Sequence, residues 1–111
     1  MSDHDGLHWL PIREQTALIR SRELSVTELV SAHLDQIGSL NPAVNALITL
    51  DPERSMAEAA EADKAVARRE RLGPLHGIPV GFMDSHDTAG MRTTYGSPLF
   101  AAHVPAVDDP V

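Results

Sequence analysis

Gly73-Pro74-Leu75-His76-Gly77-Ile78-Pro79-Val80-Gly81-Phe82-Met83-Asp84 is the stretch on which the expected fold turns. Its second half, Ile78 to Met83, is a short apolar run, and Pro79 stands near its start, where a missing N–H does least harm to a strand. Upstream of Gly73, an alanine-rich segment reads as a helix from Pro52 to about Arg71. Asp51 is its expected N-cap, Pro52 its first helical residue and Gly73 its stop. Ahead of it, Ala46-Leu47-Ile48-Thr49-Leu50 is a second apolar run, bounded by Asn45 and Asp51-Pro52, which predicts another buried strand. Strand, helix and strand in that order predict a right-handed crossover with parallel strands.

Further out, Ser25-Val26-Thr27-Glu28 has the pattern of a capping box and marks a helix start. Val26, Leu29, Val30, Leu34 and Ile37 then recur as one apolar face out to about Gly38, with His33 beside the stripe as a packed or half-exposed residue. A shorter helix is expected from Thr16 to Ser21. Asn41-Pro42 predicts a break, because the residue before proline is pushed out of the helical region. Thr93 to Val111 carries Pro98, Pro105 and Pro110 and reads as loop. Parallel strands are normally covered on both faces and flanked by others, yet no third strand is legible. The expectation is an unfinished α/β fold, N-terminal helices plus one βαβ crossover, in a single domain over 1–111. Within it, 1–42 is helical, 43–84 strand-helix-strand and 85–111 a loop-rich tail.

The 111 residues, 42% of them hydrophobic, suit one globular domain. A net charge of −7 opposes a nucleic-acid surface, which needs clustered Lys and Arg. Arg68-Arg69-Glu70-Arg71, the densest basic group, reads as the cation-rich last turn of the long helix. With no cysteine, disulfides, thiolate metal sites and a Cys nucleophile are excluded. No apolar run approaches the roughly 20 residues that span a bilayer, and Met1-Ser2-Asp3-His4-Asp5 is acidic where a signal peptide is basic. A cytoplasmic protein without membrane contact is expected.

The opening stretch, read with Asp87-Thr88-Ala89-Gly90-Met91 and Thr93-Thr94-Tyr95-Gly96-Ser97, resembles the amidase signature family. The resemblance runs through nearly the whole chain: Ile37-Gly38-Ser39-Leu40-Asn41-Pro42, Val44-Asn45-Ala46, the Asp51-Pro52-Glu53-Arg54 helix start, Glu61-Ala62-Asp63, Gly96-Ser97-Pro98-Leu99-Phe100 and His103-Val104-Pro105. It implies C–N hydrolases on a mixed-sheet α/β fold that cleave amides without metal or organic cofactor. It also implies a triad in which one serine attacks the carbonyl, a second on a cis peptide relays the proton, and a lysine accepts it. A lysine desolvated beside polar partners can serve as that base.

By the same resemblance Met83 occupies the lysine position, and the Gly/Ser-rich block carrying both serines falls beyond Val111. A thioether has no useful basicity, although it matches the unbranched shape of lysine. Ser85-His86 and Arg92 also depart from the family pattern. Asp84, His86, Asp87, His103, Asp108 and Asp109 are the one polar cluster with metal-ligand chemistry, and loop residues near a strand end are its plainer reading. Ser97 lacks the nucleophile-elbow pattern, and the resemblance implies a structural serine there that closes a turn. The resulting expectation is a truncated amidase-family chain with no catalytic, cofactor or metal residues of its own. The alternative is a non-catalytic partner, associating with itself or with an amidase-like chain through an unfinished sheet edge.

Overall fold

A computed structural model describes residues 6–110; the acidic start read against a signal peptide lies outside the described residues. The chain divides into two compact units. One comprises the segments up to Val44 and Pro52–Pro79, the other Asn45–Asp51 and the segment from Val80 onward. The first unit carries α1 (Ile12–Arg20), α2 (Val26–Val44) and α3 (Pro52–Ala67), preceded by a 3-10 turn at Leu7–Trp9. The second carries a 3-10 turn at Pro98–Phe100 and otherwise irregular backbone.

The α2 start follows from its sequence. Glu28 N–H donates to Ser25 Oγ at 2.9 Å, and Ser25 N–H donates to Glu28 Oε2 at 2.9 Å. These reciprocal bonds satisfy donors that have no partner within the helix. A second cap comes from α3. Asp63 accepts from Val26 N–H at 2.7 Å, from Thr27 N–H at 3.0 Å and from Thr27 Oγ1 at 2.7 Å. A carboxylate at a helix N-terminus also meets the positive end of the helix dipole.

The apolar stripe of α2 buries Val26, Leu29 and Val30, with Leu34 packed against them. Ile19 of α1, Leu24 and Ala59 of α3 complete the buried cluster, flanked by Leu18, Met56 and Val66. Small Ala59 lets α3 lie close to α2, and the alanine bias of α3 serves that approach. His33 stands half-buried on α2 with the His8 ring edge-on at 6.2 Å, and burial, then the His8 charge, push its pKa down.

Helix limits differ from expectation in ways that local geometry explains. α1 begins at Ile12 rather than Thr16, because the Pro11 carbonyl accepts from the Glu14 and Gln15 N–H groups. Gln15 is buried and donates its side-chain amide to the carbonyls of Leu7 at 3.1 Å and Leu10 at 3.0 Å, tying the first turn to α1. α2 runs through Asn41-Pro42 to Val44. Pro42 lies in the final turn, where it forgoes one helical N–H bond, that to the Gly38 carbonyl, and Asn45, at φ 48°, ends the helix in the left-handed conformation that Asn tolerates.

α3 stops at Ala67, short of the expected Arg71, and Gly73 is not its cap. Arg69, at φ 57°, takes the left-handed position, with Glu70 N–H donating to Ala65 O at 3.1 Å and Arg69 N–H to Val66 O at 3.0 Å. This is a Schellman ending with arginine where glycine is usual. The end of α1 repeats it: Arg22 is at φ 64°, Glu23 N–H donates to Leu18 O at 3.0 Å and Arg22 N–H to Ile19 O at 3.1 Å. Arg68-Arg69-Glu70-Arg71 is therefore not the last turn of a helix but the chain leaving it.

The larger correction concerns the sheet. Neither 46–50 nor 78–83 is a strand, and among the described residues there is no sheet, so the expected α/β fold with a βαβ crossover is not there. A parallel pair is stable when both faces are covered and further strands flank it. Here Ile48, Leu50, Val80 and Phe82 are exposed, so the burial that would support a ladder is missing. Pro79 and Gly81 weaken the second run further, one lacking an N–H and the other a side chain to pack.

Gly77 anchors residues 73–79, the part of the opening stretch that belongs to the first unit. Its φ is 82°, and a Cβ there would lie 2.6 Å from Val26 Cγ2 and 3.2 Å from Ile19 Cδ1. Only glycine fits that combination of conformation and contact. His76 Nε2 donates to the Ala62 carbonyl at 2.9 Å and ties the same stretch to α3.

Candidate functional site

The second unit contains Met83 and the residues that follow it. Met83 begins a turn closed by His86 N–H donating to the Met83 carbonyl at 3.0 Å. The residue is 73% exposed. The residue therefore stands at a turn rather than at a strand end, with its thioether in solvent.

Asp84 is held firmly. Its carboxylate accepts from Thr94 N–H at 2.8 Å and from the Thr94 hydroxyl, and its carbonyl accepts from Tyr95 N–H at 2.8 Å. The Thr94 hydroxyl and then the Thr94 amide hold the Asp84 carboxyl below the usual carboxylate range, since both bonds favour the charged form. Thr93 and Thr94 are themselves buried, and Thr93 N–H donates to His103 O at 2.9 Å. Asp84 is thus a clasp that fixes the 93–95 segment beside Met83.

A second cluster gathers Asp87, Tyr95, Phe100 and His103. The Tyr95 hydroxyl donates to Asp87, which pushes the phenol pKa up to about 12. His103 Nε2 lies 3.3 Å from that hydroxyl and 3.6 Å from Asp87 Oδ1. Phe100 stands edge-on to Tyr95 at 5.0 Å and to His103 at 5.8 Å. Tyr95 reaches this position at φ 54°, with Gly96 following at φ 69°.

The polar cluster named from sequence does not converge on one point. Asp109 accepts from Asp87 N–H at 2.7 Å, and Asp108 accepts from Ala89 N–H at 2.6 Å. Both carboxylates therefore close the 87–109 loop. Among the described residues no three His, Asp or Glu side chains are grouped to hold a metal ion. Ser97 Oγ accepts from Leu99 N–H at 3.3 Å and caps the Pro98–Phe100 turn. Arg92 Nη1 donates to Ala101 O at 3.0 Å.

Comparison with known proteins decides the family. The family profile described as Amidase matches residues 28–111. The chain belongs to the amidase family. Among curated relatives, it is 40% identical over 95 residues to a glutamyl-tRNA(Gln) amidotransferase subunit of Acidothermus cellulolyticus, covering 86% of this chain and 19% of the relative. It is 42% identical over 92 residues to the same-named subunit of Thiobacillus denitrificans, covering 83% of this chain and 19% of the relative. It is 35% identical over 99 residues to an acylamidase of Rhodococcus erythropolis, covering 89% of this chain and 21% of the relative. The chain thus spans about a fifth of the length of these amidase relatives.

Within the matched amidase segment, sequence reasoning passed over Asp63, His76, Thr94 and Tyr95. Glu61-Ala62-Asp63 and Thr93-Thr94-Tyr95 stood out as pattern, but their partners are distant in the chain. Only the fold reveals what each side chain meets. No described helix is long and apolar enough to cross a membrane.

Proposed function

We propose that these 111 residues are a portion of an amidase scaffold that carries no catalytic base, Met83 standing where the family places the lysine of its triad. Membership in the amidase family supports the position, and the chemistry of the thioether supports the loss of function. A relay serine can pass its proton on only to a group that binds it, and a methionine sulfur does not. The family activity in view is hydrolysis of carboxamide C–N bonds. The names of the relatives, those of an acylamidase and of amidotransferase subunits, are in keeping with that chemistry.

Ammonia release from simple carboxamides tests the reading. The purified chain is expected to stay at background. Met83→Lys is expected to stay there too, because a base without a nucleophile attacks nothing. Turnover by either protein well above a Ser97→Ala, His86→Ala double variant would overturn the proposal.

A second reading is favoured by one observation, the exposure of Ile48, Leu50, Val80 and Phe82 on the two apolar runs. In it the segment is a non-catalytic partner that covers these side chains against itself or against another amidase chain. A stable monomer in sedimentation, with no binding to an amidase chain that lacks this segment, would count against it.

A further inference from the structure

We infer that the cleft where α1 and α3 end together is a binding site for a doubly charged oxyanion of the phosphate type. Arg20, Arg22 and Arg69 line this open cleft of about 440 Å³, together with Ser21 and Glu70. Its volume falls in the range of small-ligand pockets. Val66 and Leu72 form its apolar part.

The charges are arranged in an unusual way for a chain with net charge −7. Arg22 Nη2 donates to Ala67 O at 2.9 Å and to Val66 O at 3.4 Å. It thereby offsets the negative end of the α3 dipole, which would otherwise repel an anion. Arg20 uses one nitrogen on Gly73 O at 3.1 Å and keeps the rest of its fork available. The Arg69 side chain makes no ion pair among the described residues. Three guanidinium groups stand against Glu70 and, at the rim, Glu23, whose Oε1 accepts from Ser21 Oγ at 3.0 Å, so the cleft keeps a smaller net positive charge.

Backbone conformation adds an independent observation. Arg22 and Arg69 both sit in the left-handed region, at φ 64° and φ 57°, at matching positions of the two Schellman endings. A side chain there costs about 1–2 kcal/mol that glycine avoids. Both strained residues are arginines, and both line the same cleft, so the conformation delivers charge to one place.

The ligand class follows from the exposure of the cleft. An exposed guanidinium paired with a monoanion gains little, whereas a tetrahedral dianion can engage several forks at once. Affinity is expected on the order of millimolar, as suits an open site.

Inorganic phosphate at pH 8, where the dianion prevails, is the probe, added to the full chain at constant ionic strength and followed by the Nε–H resonances of arginine. Saturable shifts at Arg20, Arg22 and Arg69, absent with chloride, are expected. Glu70→Gln should tighten binding by roughly 1.5–5-fold, and Arg69→Gln should weaken it by a similar factor. Among the described residues the Arg69 side chain makes no hydrogen bond or ion pair, so its variant should melt as the parent does. Shifts that never saturate, or that chloride reproduces, would overturn the site. Failure of both variants to change affinity would do the same.

Discussion

Gly77 is the residue of the signature stretch with the least freedom to change. Its positive φ and the nearness of Val26 and Ile19 act together, so Gly77→Ala combines left-handed strain with overpacking of the core. A loss of about 2–4 kcal/mol is expected, measured by urea denaturation. At Gly81, four positions on, an added Cβ would meet nothing within 4 Å, and Gly81→Ala provides the matched control. Asp84 yields a pH-dependent prediction. Its carboxyl is depressed by the Thr94 bonds, so the stability it supplies is present above the ordinary carboxylate range and is lost as pH falls through the lower folded value. Asp84→Asn is expected to flatten that acid limb and to speed exchange of the Thr94 amide proton. A pH–stability profile identical to the parent's would show the clasp to be idle. Of these residues the sequence made Met83 conspicuous only through the family resemblance and left Thr94 silent, because a hydrogen-bond partner ten positions away cannot be read from a pattern.

The helices were legible where the relevant information is local. The Ser25 to Glu28 box, the α2 stripe and the Pro52 start of α3 could be read because each depends on residues within a turn or two. Helix ends were harder, since Arg22 and Arg69 occupy positions at which sequence rules look for glycine. The apolar runs at 46–50 and 78–83 misled for a different reason: an apolar run carries strand propensity, but a strand exists only with a partner to bond. The Asp63 cap belongs to this scale as well. Asp63→Ala removes three hydrogen bonds from the α2 start and is expected to cost about 1–3 kcal/mol in chemical denaturation. Asp63→Asn should keep part of that, because its amide oxygen can still accept.

At the scale of the molecule, apolar surface is distributed unevenly. The α1, α2 and α3 cluster is closed around Leu29, which has no exposed surface, whereas in the second unit Phe82 is 55% exposed and Val80, Ile48 and Leu50 are also open. Native protein is therefore expected to bind an environment-sensitive dye such as anilinonaphthalene sulfonate, and a Val80→Ser, Phe82→Ser double variant to bind less of it. Equal fluorescence from both proteins would place the dye elsewhere. The mixed sheet expected from the family resemblance was thus wrong for this segment in a specific way: the apolar residues are present, but the described chain does not cover them.

The Asp63 cap also sets an order of events during synthesis. Val26 and Asp63 are 37 positions apart, so at a ribosomal rate of about 5–20 residues per second the α2 start waits roughly 2–7 s for its distant carboxylate. Until then the Ser25–Glu28 box alone can hold the nascent helix. The local box gives α2 an early start, and the arrival of α3 locks it.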